Sequence, residues 1–464
     1  MQRCEHVTDL RFVVCCHLLE QHKLEHVVRF TGRGAEHEYT CRACLATPGP
    51  RVSVCQVCRE RLRRHAEVIG TPQVLDAPRG ITTRPRIVPF AWPALADLQP
   101  VRGADLDRWI GVTADGALHA LDLDAGTNDV IAQAGIVVPR PMLRLSRDSR
   151  LAAVVDAQGT QGVVIDLHTR AVILHLARDD YHSSACTFPI AFIERDGHTY
   201  VAWAPTWNRL DIVEPWSGQL VTARESPSTD GAHYLDYFHC ALSVSNDGRH
   251  ILDTGWVWHP MGSSAVWSVE RWFENVWEAE DGPSLHYICA QELWDGPACW
   301  LAGARVAIWG DTDAWLVPSV RIFDADTGVQ TGWLPGPDGA LVYDGLLYAV
   351  GVSGLAAWDV ESGTRVFHDA SLRDVVYHPD AKTFVSIGDG TSYALVGGEA
   401  QWSAGVVGTL ARRIADERAF DDLPVLGDAL EAAGCADGEL LAHCHAPGLH
   451  GARCWVIDRL LARG

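Results

Sequence analysis

The chain has 464 residues, 47% of them hydrophobic and 21% charged, with a formal net charge of −21. These proportions are ordinary for a folded soluble protein, and the longest apolar runs fall short of the roughly 18 residues that a membrane span needs. The N-terminal sequence is interrupted by charges and lacks the apolar stretch of roughly 7–15 residues of a secretory signal. We therefore expect a cytoplasmic protein with no membrane partner.

Charge and cysteine are unevenly distributed along the chain. Residues 1–90 hold 14 basic and 9 acidic residues, whereas the remainder holds 24 and 50. The bulk of the protein would therefore repel nucleic acid, and only the N-terminal part could favour it. Seven of the 14 cysteines lie within the first 58 residues. In a reducing compartment such a cluster indicates metal ligands or buried thiols rather than disulfides.

Residues 1–70 carry the pattern of a small zinc-binding module. Two Cys-x-x-Cys pairs are separated by ten residues: Cys41, Cys44, Cys55 and Cys58. Each pair places two thiolates on one side of a turn, and two such turns supply the four sulfur ligands that structural zinc prefers. The arrangement resembles the knuckles of zinc ribbons and treble clefs. We expect one structural Zn²⁺ here, with unliganded or redox-active thiols as the alternative.

The rest of this module admits more than one interpretation. Further thiols and imidazoles could bind a second metal or lie buried in an apolar segment: Cys4, His6, Cys15, Cys16 and His17. A helix predicted over residues 60–69 carries arginines that favour either a solvated face or a nucleic-acid contact. Residues 71–85 are rich in proline, show little periodicity and are predicted to be a linker.

A short phrase recurs within residues 86–402. An apolar run, an acid, two spacers, a hydroxyl and a glycine occur at residues 322–328 and again 35 residues later, at 357–363. Weaker copies occur at residues 121–126, 165–169 and 213–218. The phrase is typical of a strand, a tight turn and a second strand, because Asp and Ser/Thr side chains bond the backbone of the turn. Recurrence at roughly 35–55 residues indicates a β-propeller or a solenoid.

Seven blade-sized units can be counted in this region. They cover residues 109–121, 143–173, 190–222, 241–267, 300–333, 340–367 and 375–396. Several of these units begin with a strand and an Asp-centred turn, and this order of elements resembles WD40 and YVTN-type propellers. We predict a mainly β fold, a seven-bladed β-propeller with a small N-terminal zinc-binding module. The strand Arg86–Phe90 is expected to join the last blade and close the ring, which removes exposed strand edges.

Function in a propeller lies on its loops. Three segments rich in His and Tyr are predicted to precede the first strands of consecutive blades, at residues 181–186, 233–240 and 286–289. Connections between blades open on one face, so these segments should converge there. The predicted binding residues are His182, His233, Tyr237, His239, Trp258, His286 and Tyr287. The alternatives are a purely structural role or, for three of the histidines, a bound metal.

Nine tryptophans lie between Trp256 and Trp315. Most are expected in the blade cores and a few on a recognition surface, since Trp offers a large contact area and one polar group. No nucleophile elbow, phosphate-binding loop or dinucleotide fingerprint stands out. The adjacent Asp179 and Asp180 are the carboxylate pair most suited to glycosidase-type chemistry.

Residues 403–464 change to a helical period. Four helices are predicted, the second beginning near Pro424 after an Asp422 cap and ending at Gly434. The run from Arg418 to Trp455 resembles a C-terminal segment found on many uncharacterised bacterial proteins, which implies a portable adaptor in a bacterial protein and no reaction. Packed thiols or a second zinc site are the two interpretations of Cys435, His443, Cys444, His450 and Cys454.

These observations favour a non-enzymatic interaction scaffold that captures a protein or peptide on one propeller face. The alternative is an enzyme or small-molecule sensor that uses the same face. A third interpretation is a nucleic-acid contact through the N-terminal zinc module. The sequence contains no motif that specifies a reaction.

Overall fold

A computed structural model gives the fold of the protein. It describes residues 74–103, 107–258, 261–291, 293–310, 319–396, 405–432, 438–446 and 454–461, and the backbone of five short N-terminal strands. Those strands are Arg11–Cys15, Val27–Phe30, Thr40–Cys41, Arg51–Cys55 and Glu67–Ile69. Glu67–Ile69 pairs in parallel with Val27–Phe30. These three residues, predicted as the end of a helix, are therefore a strand.

Seven antiparallel sheets follow one another from Leu95 to Val396, so the predicted seven-bladed, mainly β propeller is confirmed. Blade 1 contains the strands Leu95–Pro100, Arg108–Thr113, Ala117–Asp122 and Thr127–Gln133. Blade 2 contains Pro141–Leu145, Leu151–Asp156, Gln161–Asp166 and Ala171–Ala177. Blade 3 contains Ile190–Arg195, His198–Thr206, Arg209–Glu214 and Gln219–Leu220. Blade 4 contains Leu242–Val244, His250–Asp253, Gly262–Ser268 and His286–Gln291. Blade 5 contains Ala298–Trp300, Arg305–Gly310, Ser319–Asp324 and Gln330–Pro335. Blade 6 contains Ala340–Asp344, Leu346–Gly351, Gly354–Asp359 and Thr364–Asp369. Blade 7 contains Val375–His378, Thr383–Ser386 and Ser392–Val396.

The hydrophobic core lies between neighbouring blades. Val154 and Ile165 of blade 2 pack against Ile110 and Val112 of blade 1, and similar clusters join each later pair of blades. The seventh cluster joins blade 7 to blade 1 and contains Val88, Leu98, Trp109, Leu121, Leu123 and Val385. Because the last sheet packs on the first, the sheets form a closed ring.

The recurring acidic phrase forms the turn between the third and fourth strands of a blade. In blade 5 the carboxylate of Asp324 accepts hydrogen bonds from the backbone N–H and the hydroxyl of Thr327 at 2.8 and 2.6 Å. Gly328 ends this turn at φ 68° and Gly363 ends its counterpart in blade 6 at φ 67°, a conformation that favours glycine. The recurring motif therefore forms a tight turn between two strands, as predicted.

The ring is closed by an N-terminal strand that differs from the predicted one. Thr82–Arg86 pairs antiparallel with Ser392–Val396 and supplies the fourth strand of blade 7. The expected strand, Arg86–Phe90, shares only Arg86 with it, because Val88 turns inward to the core instead. Leu75–Asp76 adds a fifth, parallel strand to blade 6. One strand of the propeller thus lies within the expected linker of residues 71–85, and a second begins in it and ends at Arg86.

Blade 4 departs from the repeat. Its third and fourth strands are joined by two short helices, α1 (Val269–Glu274) and α2 (Glu278–Asp281), in place of a tight turn. Trp272 of α1 is fully buried, and Ala279 of α2 packs into the core shared with blade 3. This insert of residues 269–285 separates His286 from the rest of its blade in sequence.

The C-terminal residues form the predicted helices. They are α3 (Gly405–Glu417), α4 (Leu423–Ala432), α5 (Gly438–His445) and α6 (Trp455–Leu460). Ile414, Leu426, Leu440 and Val456 are buried in a core that these helices share. Gly434 lies outside the described residues. Within those that are described, no helix has the length and apolarity needed to cross a membrane.

Candidate functional site: an aromatic patch on the upper rim

The order of strands decides which loops share a rim. In an antiparallel four-stranded blade, the connections between blades and the second-to-third-strand turns lie at one end of the strands, here called the upper rim. The first-to-second and third-to-fourth turns lie at the other end, the lower rim. Aromatic residues gather on the upper rim of blades 3 and 4.

The patch comprises five aromatic rings and one imidazole contributed by four upper-rim segments: Tyr181, His182, Trp207, Phe238, Trp256 and Trp258. Phe238, from the connection between blades 3 and 4, lies at the centre and is fully buried. It stacks on Trp256 at 4.2 Å between ring centroids and contacts Trp207 at 4.4 Å. Trp256 stacks in turn on Trp294 at 5.1 Å. This buried layer holds the outer rings in place.

Three of the outer rings form a continuous row. The centroids of Tyr181 and Trp207 are 5.5 Å apart, and those of Trp207 and Trp258 are 6.5 Å apart. Tyr181 and Trp258 are each 45% exposed, and His182 beside them is exposed. Large aromatic faces left open on a surface are typical of recognition sites.

Carboxylates border the row. The indole N–H of Trp258 donates to Oδ2 of Asp236 at 2.8 Å, and the backbone N–H of Trp207 donates to Oδ2 of Asp179 at 3.3 Å. Desolvation by burial raises the pKa of Asp179 above its ordinary value. Asp236 and Asp180 are exposed. The predicted Asp179–Asp180 pair thus lies beside the patch, with Asp179 already used by the backbone.

A buried carboxylate fixes the segments beneath the patch. Asp295 accepts the backbone N–H of Thr187 at 2.5 Å and that of Ala241 at 3.2 Å. Burial raises the pKa of this carboxyl. Because Asp295 itself belongs to the connection between blades 4 and 5, it joins three successive connections. The patch therefore lies on loops that are held by shared hydrogen bonds.

Two predicted binding residues are buried below the surface. Nδ1 of His239 lies 2.6 Å from Oδ2 of Asp253, and the hydroxyl of Tyr237 donates to the carbonyl of Ser263 at 2.7 Å. Both side chains are about 2% exposed, and desolvation raises the pKa of Tyr237 well above its usual range. Neither side chain can contact a partner protein directly, so the role of both residues beside the patch is structural.

The other predicted residues divide among three places. Trp258 and His182 belong to the patch. His233 instead stacks on Trp277 of the blade 4 insert at 4.5 Å, with Nδ1 2.8 Å from Asp281. His286 and Tyr287 lie in the outermost strand of blade 4.

The expected convergence of three histidines at one mouth is therefore wrong. His286 begins the fourth strand of blade 4 at the lower rim, against Gly328 of blade 5, whereas His182 lies on the upper rim. The cause is the helical insert, which displaces this strand along the sequence so that it resembles the start of the next blade. The three imidazoles cannot share a metal.

The tryptophans largely follow the expectation for a blade core. Trp256, Trp267, Trp272 and Trp300 are all less than 7% exposed, and Trp258 is the one with a large exposed face among those described between residues 256 and 310. Trp207 was not among the predicted site residues. The feature that could have identified it is a tryptophan in a two-residue turn between strands, where it is partly buried against Phe238.

Two cavities lie on the lower rim, away from the patch. The axial channel encloses about 670 Å³ and is lined by residues that include Arg102, Arg147, Glu194 and Asp380. A pocket of about 340 Å³ lies between blades 4 and 5, beside the insert. There Nε2 of His250 is 2.9 Å from Asp326.

The zinc prediction concerns residues whose side chains lie outside the described part of the chain. The backbone of Cys41 and Cys55 falls in strands, and Cys44 and Cys58 are outside the described residues. Full-length protein purified without chelator is expected to hold one zinc per chain by elemental analysis. A Cys41→Ser, Cys44→Ser variant should lose it, while Cys299→Ser, at a thiol inside the propeller, should not. Equal zinc in all three proteins would contradict the prediction.

The C-terminal thiols are partly described. Cys444 and Cys454 are buried in the helical core. Nε2 of His443 lies 3.3 Å from Sγ of Cys454, and its Nδ1 accepts the indole N–H of Trp455 at 3.1 Å. Cys435 and His450 lie outside the described residues. A contact between an imidazole nitrogen and a thiol fits packed thiols and ligands of one metal alike, so both interpretations stay open.

No family model matches the chain, and no curated protein matches its sequence. Many solved structures are similar to it in fold, and two of them serve as examples. Hydrazine synthase of Kuenenia stuttgartiensis has a TM-score of 0.44 and 15% identity, covering 66% of this chain and 97% of that chain. A chain of a mitotic checkpoint complex has a TM-score of 0.45 and 11% identity, covering 71% and 97%. Similarity at this level says nothing about function.

Proposed function

We propose that the protein is a non-enzymatic interaction scaffold that holds a segment of a partner protein on the upper rim of blades 3 and 4. The observation that carries the proposal is the row of Tyr181, Trp207 and Trp258 above a buried aromatic layer, with Tyr181 and Trp258 exposed at its two ends and Trp207 partly buried between them. Aromatic residues with little freedom to move provide most of the binding energy at protein interfaces. The zinc module and the helical tail would connect this propeller to a larger assembly.

Replacing the outer rings is expected to weaken capture of the partner. Trp258→Ala and Tyr181→Ala should each cost roughly 2 kcal/mol of binding energy, or about a 30-fold weaker Kd, as for interface hot spots. The measurement is crosslinking in cells through a photoreactive residue at position 257, followed by binding of the crosslinked partner to purified full-length variants. Val257 is 37% exposed and lies beside Trp258.

Trp216 provides the matched control for these variants. It is 43% exposed, close to the exposure of Trp258, but it lies in a lower-rim turn of blade 3 with Arg150 over its ring at 4.9 Å. Trp216→Ala should leave capture unchanged. If Trp216→Ala weakens capture as much as Trp258→Ala, or if neither patch variant weakens it, the proposed surface is wrong.

The nucleic-acid interpretation of the N-terminal module stays a separate proposal. It rests on the basic balance of residues 1–90 and predicts binding that falls steeply with salt. Loss of that binding in a variant without the arginines at 59–64 would support it. The patch variants should not affect it.

A further inference from the structure

We infer that the segment held by the patch is positively charged, and that an arginine or lysine side chain of the partner lies against the row of Tyr181, Trp207 and Trp258. This inference rests on the proposed function and adds the chemistry of the partner. The observations that carry it are the exposed rings of Tyr181 and Trp258, the carboxylates that border the row and the charge of the whole propeller.

The ring faces of the row are suited to a cation. A guanidinium or ammonium over an indole or phenol ring is attracted by the negative potential of the ring face. The indole N–H of Trp258 donates to the carboxylate of Asp236 at 2.8 Å, which draws electron density into the ring and strengthens that potential. Asp236 is exposed and is also placed to pair with the incoming charge.

Elsewhere in the chain, arginines already occupy comparable rings. Guanidinium groups lie over Trp216 at 4.9 Å, Phe273 at 4.5 Å and Trp277 at 5.0 Å. In the described part of the chain, no such group lies over Tyr181, Trp207 or Trp258. The rings of the row are therefore of the kind that binds a cation, and no arginine or lysine among the described residues lies over them.

The charge of the protein favours the same partner. Residues 91–464 hold 50 acidic against 24 basic residues. At the patch, Asp236 accepts the indole N–H of Trp258 and Asp179 the backbone N–H of Trp207, and the exposed Asp180 directly precedes Tyr181 in the chain. An excess of negative charge attracts a basic segment over long distances and repels an acidic one. An apolar or acidic partner segment is the competing outcome of the experiment.

The experiment compares charged and uncharged peptides on the full-length chain. The probes are four ten-residue fluorescent peptides of alternating glycine and a second residue, which is arginine, lysine, citrulline or glutamate. Citrulline keeps the shape of arginine and loses its charge. By fluorescence anisotropy, the arginine peptide should bind at least about tenfold more tightly than the citrulline peptide. The glutamate peptide should not bind.

Variants locate the charge recognition at the patch. Asp236→Asn and Trp258→Leu should each weaken the arginine peptide by about five- to tenfold and leave the citrulline peptide unchanged. Asp196→Asn removes the same charge from a lower-rim turn where the carboxylate is 83% exposed, and it should have an effect below twofold. Equal losses in Asp236→Asn and Asp196→Asn would indicate attraction by net charge alone and would overturn the inference.

The failure of this inference is distinct from failure of the proposed function. If Trp258→Ala weakens capture of the partner but the citrulline and arginine peptides bind equally, the docking surface stands and its preference for cations is wrong. If capture does not depend on the patch, both are wrong. Thermal unfolding of each variant checks the fold. Should Trp258→Leu be unstable, Asp236→Asn, which keeps every ring, decides the question.

Discussion

Replacing Asp107 by alanine is expected to lower the free energy of unfolding by about 3–5 kcal/mol, because several buried donors lose their acceptor together. Asp107 is 3% exposed and lies where blade 1, blade 7 and the closing strand meet. Its carboxylate accepts the indole N–H of Trp109 at 2.7 Å and hydroxyls of Thr383 and Ser392 at 3.2 and 3.3 Å. Arg86 of the closing strand donates to it at 2.9 Å.

The measurement is chemical denaturation of Asp107→Ala beside Asp129→Ala. Asp129 is exposed on the outermost strand of blade 1, and its replacement should change stability by less than about 0.5 kcal/mol. Hydrogen exchange should rise first in Thr82–Arg86 and Ser392–Val396, the strands that close the ring. A loss below about 1 kcal/mol for Asp107→Ala, or exchange that rises evenly over all blades, would contradict the role assigned to this seam.

Replacing Arg224 by methionine is expected to cost about 3–5 kcal/mol of stability, because it leaves the buried carboxylate of Glu280 without its cation, whereas Asp211 keeps a second partner in Arg209. Nη1 of Arg224 lies 2.8 Å from Asp211, and Nη2 pairs with Glu280 of the blade 4 insert. All three side chains are less than 5% exposed. The Arg224–Glu280 pair attaches the insert to the outer edge of blade 3. Arg249→Met, at a surface ion pair with Asp247 and a side chain 63% exposed, should cost less than about 1 kcal/mol.

The loss in Arg224→Met should depend on pH. Desolvation by burial raises the pKa of Glu280 above its ordinary value, while Arg224 opposes that rise. A carboxyl whose folded-state pKa is raised contributes stability that is present at low pH and disappears as pH increases through that pKa. Without Arg224 the pKa rises further, so the deficit should be larger at pH 8 than at pH 5.

The double variant Arg224→Met, Glu280→Gln tests this mechanism. Glutamine has no charge to leave unpaired, so at pH 8 it should restore part of the stability lost in the single variant. A deficit that is constant between pH 5 and pH 8, together with no recovery in the double variant, would indicate that lost packing of the arginine stem is the cause instead.

The repeat itself was predictable because it is local. The strand, the Asp-centred turn and the glycine at positive φ, as in Asp324–Gly328, are set by residues within a few positions of one another. Periodic recurrence of such a unit then indicates seven sheets, since each blade needs the next one to bury its faces. The helices of the tail follow from the same kind of short-range pattern.

The errors arose where the repeat is interrupted. The insert of residues 269–285 made His286 look like the entry to a new blade, although it begins the fourth strand of blade 4. The closing strand could not be positioned exactly, because its partner Ser392–Val396 lies more than 300 residues away. A strand's register depends on contacts with that partner, which its own sequence does not contain.

By itself, the sequence determined the class of fold, the number of blades, the turns and the helical tail, since all of these depend on short-range bonding and hydrophobic period. Only the tertiary structure decided which aromatic residues are open to solvent. Phe238 and Tyr237 are neighbours of similar chemistry to Tyr181, yet they are buried and Tyr181 is 45% exposed. The reason is that exposure on a rim depends on how loops from separate blades pack over one another once the ring has closed.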